Sequence, residues 1–339
     1  MKSLDRETMN RLLSGSSLTR EEVKDLFGRL VRGELDELQA AAIVTALKVR
    51  GERTTELVGA AEALLEAAVA FPGAPVEAID LVGTGGDGLN TLNISTLAAI
   101  TTAAIGVPVA KHGNRSITSL SGSFDLLQRL GVDLQAAPEK SARQLQEAGL
   151  CFLLAPNYHV GLRHAGELRR RLNARTIFNL LGPLVNPARP RAMLLGVAIP
   201  ELLDPMAESL RGLGCRTAAV VHGSGLDELA VHGPSEVRLL ENGVLRKLEL
   251  GPQDFGLEVH PLSALTIDSA DAGHARAERI LSGAGSVAEN SAIAINAAMA
   301  AWVFRGGGDL PRWAEAALQA LRAGKVGEKL KQLREPGPA

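Results

Sequence analysis

The stretch Asp80-Leu81-Val82-Gly83-Thr84-Gly85-Gly86-Asp87-Gly88 decides the fold. A short apolar run stops in a cluster of glycines, which reads as a buried strand running into a tight loop. Glycines at such a strand end can take positive φ and bring backbone N–H groups close to an anion such as a phosphate. Outward from it the same texture recurs. Ala78–Val82, Val107–Ala110, Leu150–Leu154, Met193–Val197 and Thr217–Val221 are short apolar runs, each bounded by Gly, Pro or a charge, with helical stretches between them. That alternation predicts an α/β fold with a mostly parallel sheet.

Upstream, residues 16–70 read as consecutive amphipathic helices with no strand between them, hence a small all-α domain. Thr19-Arg20-Glu21-Glu22 has the form of a capping box. Val23, Leu26, Phe27, Leu30 and Val31 follow the helical period, and Gly33 can end that helix. Leu38, Ala42, Ile43 and Leu47 mark a second helix ended by Gly51, and Leu57, Val58, Ala61, Leu64, Leu65 and Ala68 a third. Phe71-Pro72-Gly73-Ala74-Pro75 then reads as a linker. Downstream, Ala292–Phe304 reads as a buried helix capped by Glu289-Asn290-Ser291, and the tail 335–339 as disordered.

Composition narrows the function. Aromatic residues make up 3%, so the core must be built from Ala, Val, Leu and Ile, which suits packed helices and a parallel sheet. The net charge of −2 gives no global field for nucleic acid, so any anion site must be local. Cys151 and Cys215 lie far apart in apolar surroundings and read as reduced thiols. The first residues show no apolar leader, and the uncharged stretch 88–110 contains Asn90, Asn93 and Pro108, which a lipid-facing helix avoids. A cytoplasmic protein without a membrane segment is expected.

The glycine cluster also satisfies G-x-G-x-x-G through Gly83, Gly85 and Gly88. A dinucleotide site would want an acidic residue about 20 positions on. Instead residues 88–124 contain no Asp or Glu, but do contain Lys111, His112 and Arg115. A segment stripped of negative charge suits a highly anionic ligand. Within it, Asn93-Ile94-Ser95-Thr96 opens an uncharged helix, Leu97–Ile105, whose N-terminus can hold phosphate and whose first side chains can cap it. Lys111-His112-Gly113-Asn114-Arg115-Ser116 follows the run Val107–Ala110 and is expected as a loop of converging donors, extended by Ser119, Ser121, Gly122 and Ser123.

Together these pieces resemble the anthranilate phosphoribosyltransferase family. The strings are Gly83-Thr84-Gly85-Gly86-Asp87, Asn93–Thr96, Lys111–Arg115, Ala155-Pro156-Asn157-Tyr158-His159, Arg175–Leu184 and Asp227-Glu228, in the family's order over nearly the whole chain. The resemblance implies a fold like that of the pyrimidine nucleoside phosphorylases, with a small helical domain (1–72 plus about 173–190) and a large α/β domain (73–172 and 191–339), usually a homodimer. It implies that 5-phosphoribosyl-1-diphosphate (PRPP) is held by Gly83, Gly86, Asp87, Thr91, Asn93, Ile94, Ser95, Thr96, Lys111, His112, Gly113, Asn114, Arg115, Ser116, Ile117, Thr118, Ser119 and Ser123. Anthranilate would meet Gly83, Asn114 and Arg169. Ser95, Asp227 and Glu228 would bind magnesium, two ions per subunit. Family members often carry Lys at Leu120, a small residue at Phe124 and Gly at Asn173. The first change removes a phosphate cation, and the second is expected to narrow the loop. The rivals are a nucleoside phosphorylase, whose Lys-x-x-x-Arg-Ser-Gly-Gly string is missing here, and a nucleic-acid-binding paralogue using the arginines at 163–175.

Overall fold

A computed structural model describes residues 6–115 and 122–334. The strands β1 (Ile79–Gly83), β2 (Val109–Gly113), β3 (Leu150–Leu154), β4 (Ala192–Gly196), β5 (Thr217–His222), β6 (Ser235–Glu241) and β7 (Val244–Leu250) form one sheet. Its order is β3-β2-β1-β4-β5-β6-β7. Pairings from β3 through β5 are parallel, and β6 and β7 add in antiparallel fashion.

The five parallel strands are those expected from the apolar runs, with ends shifted by up to three residues. The shift matters at β2, where Lys111 and His112 are strand residues, 3% and 2% exposed, and not a loop. They stay in register with Phe152 and Leu153 of β3, so their backbone groups are satisfied by the sheet. The hairpin β6–β7 went unanticipated, although its signal is present. Val237 and Leu239 alternate with Glu236 and Arg238, and the turn Asn242-Gly243 takes φ of +48° and +82°. Asn-Gly with both residues left-handed is the favoured two-residue hairpin turn.

Both sheet faces are covered, as a parallel sheet requires. Ile79, Leu81, Leu194 and Val221 share a core with the helices Ile94–Ala104 and Val287–Arg305. Met193, Leu195 and Val220 face the other way, into a core shared with helix Leu203–Gly212 and the N-terminal helices. Helix Val287–Arg305 is long and apolar enough to cross a membrane but is largely buried inside the protein, which explains its apolar surface all round. Ser286, not the segment 289–291, caps it. The Ser286 hydroxyl accepts from Glu289 N at 3.3 Å, and the Glu289 carboxylate accepts from Ser286 N at 2.7 Å.

The N-terminal helices are Arg6–Leu13, Arg20–Val31, Glu37–Arg50 and Thr54–Glu66. The Thr19–Glu22 capping box forms as expected. In helix Glu37–Arg50 the core face is Ala40, Ile43, Val44 and Leu47, whereas Leu38, expected inside, is 84% exposed. The helix is apolar on more than one side, so periodicity alone misplaces Leu38. Helices Arg163–Leu172 and Ile177–Leu181 pack back onto this bundle, and Ala165, Leu168, Ile177 and Phe178 complete its core. The expected disorder at 335–339 lies outside the described residues.

The chain leaves β1 for β2 and β3 on one side, then returns to place β4 on the other. The connections from the carboxyl ends of β1 and β4 therefore diverge, opening a crevice where open α/β sheets bind ligands.

Candidate active site

Gly83 ends β1 and Gly196 ends β4, in register with each other. Between them sits Asp227, carried on the turn after β5. A Cβ on Gly83 would lie 2.2 Å from Asp227 Oδ2, and one on Gly196 would lie 1.4 Å from the Asp227 carbonyl oxygen. Both strand ends must be glycine for this carboxylate to enter the crevice. Farther along the loop, Gly85 donates its N–H to Asp227 Oδ2 at 2.7 Å. Gly85, Gly86 and Gly88 take φ of +66°, +84° and +72°, so the loop turns as its glycines predict.

Asp87, Asp227 and Glu228 converge, with one oxygen from each within 4.8 Å of the others. Burial raises the pKa of Asp227, and the like charge of Asp87 adds to it. Burial raises Glu228 well above the usual carboxylate range, with Asp227 and Asp87 adding to the effect, while the Ser95 N–H opposes it. Glu228 Oε2 is buried with no hydrogen-bond partner among the described residues. Three acidic groups forced together around an unsatisfied oxygen fit a hard divalent cation such as magnesium, whose charge would relieve their repulsion. Asp87, expected among the PRPP contacts, is thus brought to the acidic pair 140 residues away in sequence. Ser95 lies at the start of helix Ile94–Ala104 with its backbone N–H toward Glu228.

Beneath the glycine loop lies a buried polar network that sequence reasoning missed. Asp80 of β1 is fully buried, and burial lifts its pKa to about 6 against the opposing pull of Lys111 and Asn186. Asp80 accepts from Asn186 Nδ2 at 2.8 Å and from His112 N at 3.3 Å. Asn186 Nδ2 also donates to the Ala110 carbonyl at 2.8 Å. The Lys111 ammonium donates to the Leu81 carbonyl, and burial lowers its pKa while Asp80, Glu228 and Asp227 hold it up. Lys111 thus lies in the floor of the acidic site. His112 points elsewhere. Its ring packs edge-on against His159 at 5.4 Å, and burial pushes its pKa down to about 3, so it is neutral. Its backbone, not its ring, continues the strand beside the cleft. The signal for this network was an Asp in the middle of an otherwise apolar run, which needs a partner when buried.

The other expected residues divide. Thr91 bridges Thr266 in extended conformation, and Asn93 occupies the N-cap of helix Ile94–Ala104 without the side-chain cap that the sequence suggested. Ile94 and Thr96 are buried, and Thr96 Oγ1 has no partner among the described residues. Gly113 closes β2, and Asn114 is exposed, accepting from Arg115 N at 2.8 Å. The Arg115 guanidinium turns to Gln128, at 2.7 Å, on helix Ser123–Arg129. Ser123 opens that helix, while Ser116, Ile117, Thr118 and Ser119 lie outside the described residues. Arg169 is half-buried, with its guanidinium 5.5 Å from the Phe178 ring centre and no carboxylate partner among the described residues, unlike Arg171, which pairs with Glu37.

Residues 76–326 match the profile described as glycosyl transferase family, a/b domain, and residues 6–68 match its helical bundle domain. An anthranilate phosphoribosyltransferase of Aeromonas hydrophila subsp. hydrophila is 49% identical over 94% of this chain and 94% of its own. The chain belongs to the anthranilate phosphoribosyltransferase family. Two solved structures agree. The anthranilate phosphoribosyltransferase from Thermus thermophilus superposes with a TM-score of 0.89 at 39% identity, covering 96% of this chain and 97% of its own. The Saccharomyces cerevisiae enzyme in complex with PRPP and Mg superposes with a TM-score of 0.87 at 27% identity, covering 96% of each chain.

Within the anthranilate phosphoribosyltransferase family, two departures of this chain have physical explanations. The loop that Phe124 was expected to narrow, 116–121, lies outside the described residues. The Phe124 ring is buried in the core, 6.5 Å from Phe152, and fills the space beside Gly113, where a Cβ would lie 2.5 Å from it. Asn173 caps helix Arg163–Leu172 with φ of +44°. Asn is the non-glycine residue that best tolerates that left-handed region. Leu120 lies outside the described residues.

Proposed function

We infer that this chain transfers the phosphoribosyl group of PRPP to the amine of anthranilate, giving N-(5-phosphoribosyl)anthranilate and diphosphate, a step of tryptophan biosynthesis. The observation that carries this reading is the joining of the glycine loop to the acidic cluster, through Gly85 N and Asp227 Oδ2 at 2.7 Å. It puts phosphate-binding N–H groups and a cation site in one crevice, as a metal-bound sugar diphosphate needs.

The residues divide the work. Gly83, Gly86, Asp87, Thr91, Asn93–Thr96, the segment 111–119 and Ser123 hold PRPP. Asn114 and Arg169, with Gly83 beside them, hold anthranilate. Arg169 suits the substrate carboxylate because its guanidinium has no acidic partner of its own among the described residues. Ser95, Asp227 and Glu228, joined by Asp87, hold magnesium. Three carboxylates together with a diphosphate offer more oxygens than a single octahedral ion uses, which supports two ions per subunit. Bound magnesium offsets the charge that builds on the departing diphosphate. Lys111, fixed beneath by the Leu81 carbonyl, adds positive charge already in place before reaction. The amine of anthranilate is neutral at pH 7, so no side chain is needed as a base, and His112 stays uncharged in the interior.

The chain works as a small unit, 1–72 with about 173–190, closing over a large one, 73–172 and 191–339, to exclude water from PRPP. The packing of Ile177–Leu181 on the N-terminal helices supports that division, while the packing of Arg163–Leu172 on the same helices places that helix with the small unit as well. It pairs with a second copy through the helical unit, where Leu13, Leu38 and Val49 stand 62%, 84% and 83% exposed. The free cysteines Cys151 and Cys215 support a cytoplasmic site of action. The test is direct: anthranilate fluorescence should fall when PRPP and magnesium are added to the protein. No loss of signal at any magnesium concentration would sink the assignment.

A further inference from the structure

We propose that Arg175 is a positioning residue that couples the glycine loop to the anthranilate side of the cleft. The inference rests on the function just proposed and adds a residue to it. Arg175 lies in the short connection between helices Arg163–Leu172 and Ile177–Leu181, both packed on the N-terminal bundle. From there its guanidinium crosses to the glycine loop. Nη2 donates to the Gly85 carbonyl at 2.8 Å, and Nη1 reaches the Gly86 carbonyl at 3.5 Å. These two carbonyls are its hydrogen-bond acceptors, and it forms no ion pair among the described residues.

The loop is built to receive it. A Cβ on Gly86 would lie 2.6 Å from Arg175 Nη2, so the guanidinium occupies the place of a side chain. Gly86 also takes φ of +84°, which an L residue rarely adopts. Gly85 is consequently held from two sides by residues distant in sequence. Its N–H goes to Asp227 at 2.7 Å, and its carbonyl goes to Arg175. Fixing the carbonyls outward leaves the remaining loop N–H groups free to meet an anion. The same helix that leads into Arg175 carries Arg169, whose guanidinium lies 5.5 Å from the Phe178 ring centre. A ligand that settles the glycine loop thus settles Arg175, the helix end and Arg169 together. By linkage, filling the diphosphate site tightens the anthranilate site, and the reverse.

The experiment uses full-length protein and inorganic diphosphate with magnesium, which fills the loop without turnover. Anthranilate binding is titrated by fluorescence with and without diphosphate, for wild type, Arg175→Ala, Arg175→Lys and Gly86→Ala. Wild type should bind anthranilate roughly 10-fold more tightly with diphosphate present, within the usual range of such couplings. Arg175→Ala should lose that enhancement while its anthranilate affinity without diphosphate and its thermal midpoint stay close to wild type. Gly86→Ala should lose it too, because the added methyl displaces a guanidinium that is still present. Arg175→Lys keeps the charge but not the fork and should recover at most part of it. Arg171→Ala, which removes only the exposed pair with Glu37, is the control. Equal coupling in wild type and Arg175→Ala, including none in either, overturns the proposal. Wild-type turnover measured on the same samples decides the enzymatic assignment separately.

Discussion

Gly83 shows how far one missing methyl group reaches. Its Cβ position is taken by the Asp227 carboxylate, which also holds Gly85. Gly83→Ala should therefore move Asp227 and lower kcat/KM about 100-fold, the scale of a misplacement near 1 Å. Steady-state kinetics at several magnesium concentrations would check it, with the larger loss expected at low magnesium. His112 supports a second prediction, on acid stability. Unfolded, its ring takes a proton near pH 6.5, whereas burial holds the native ring neutral down to about 3. The unfolded chain binds the extra proton, so stability is full above pH 6.5 and falls as the pH drops through that window. His112→Asn should flatten the slope of urea-derived stability against pH between 4 and 6, by up to ~1.4 kcal/mol per pH unit. An unchanged slope would mean that the ring titrates normally. At this scale the sequence was legible where chemistry is local. The glycine loop and the lysine were read from the residues themselves, whereas the Asp227-Glu228 pair came only with the family resemblance. Asp87's joining of that pair was not legible, because nothing in a string brings together carboxylates 140 residues apart.

Among the elements, helix Val287–Arg305 has a task beyond filling the core. Asn296, near its middle, is 2% exposed. Its side chain accepts from Leu229 N at 2.9 Å and donates to the carbonyls of Leu229 at 3.1 Å and Ala292 at 2.9 Å. Leu229 follows directly on Asp227 and Glu228, so the central helix pins the acidic turn. Asn296→Ala would leave the buried backbone groups of Leu229 unpaired and should cost about 1–3 kcal/mol of stability. It should also raise the magnesium concentration needed for half-maximal activity. A thermal melt and a magnesium titration would check the two parts, and a stability loss without any change in magnesium dependence would detach the helix from the metal turn. The helix itself was readable as an apolar stretch, and so were the five parallel strands, because burial on both faces writes continuous apolar runs. Lys111 obscured the end of β2, since a charge inside a strand looks like the start of a loop until Asp80 and the Leu81 carbonyl are seen beside it. The hairpin β6–β7 was missed because half its residues face solvent and dilute the apolar signal.

For the whole molecule, the surface left bare by the bundle is the testable feature. Leu38 and Val49 lie eleven residues apart on helix Glu37–Arg50, three turns of one face. Replacing both with Glu should shift the sedimentation coefficient from a dimer's to a monomer's while leaving the far-ultraviolet circular dichroism unchanged. A wild-type chain that already sediments as a monomer would dismiss the pairing. The order in which the chain is made matters as well. The bundle core of residues 12–64 is shared with Ala165, Leu168, Ile177, Met193, Val220 and even Leu240. While it emerges from the ribosome, the leading fifth of the polypeptide therefore lacks the partners that cover its greasy flank. Those partners begin to arrive only after three strands of the sheet have been synthesised, so the nascent helices must wait, and a chaperone able to shield them would find its client there.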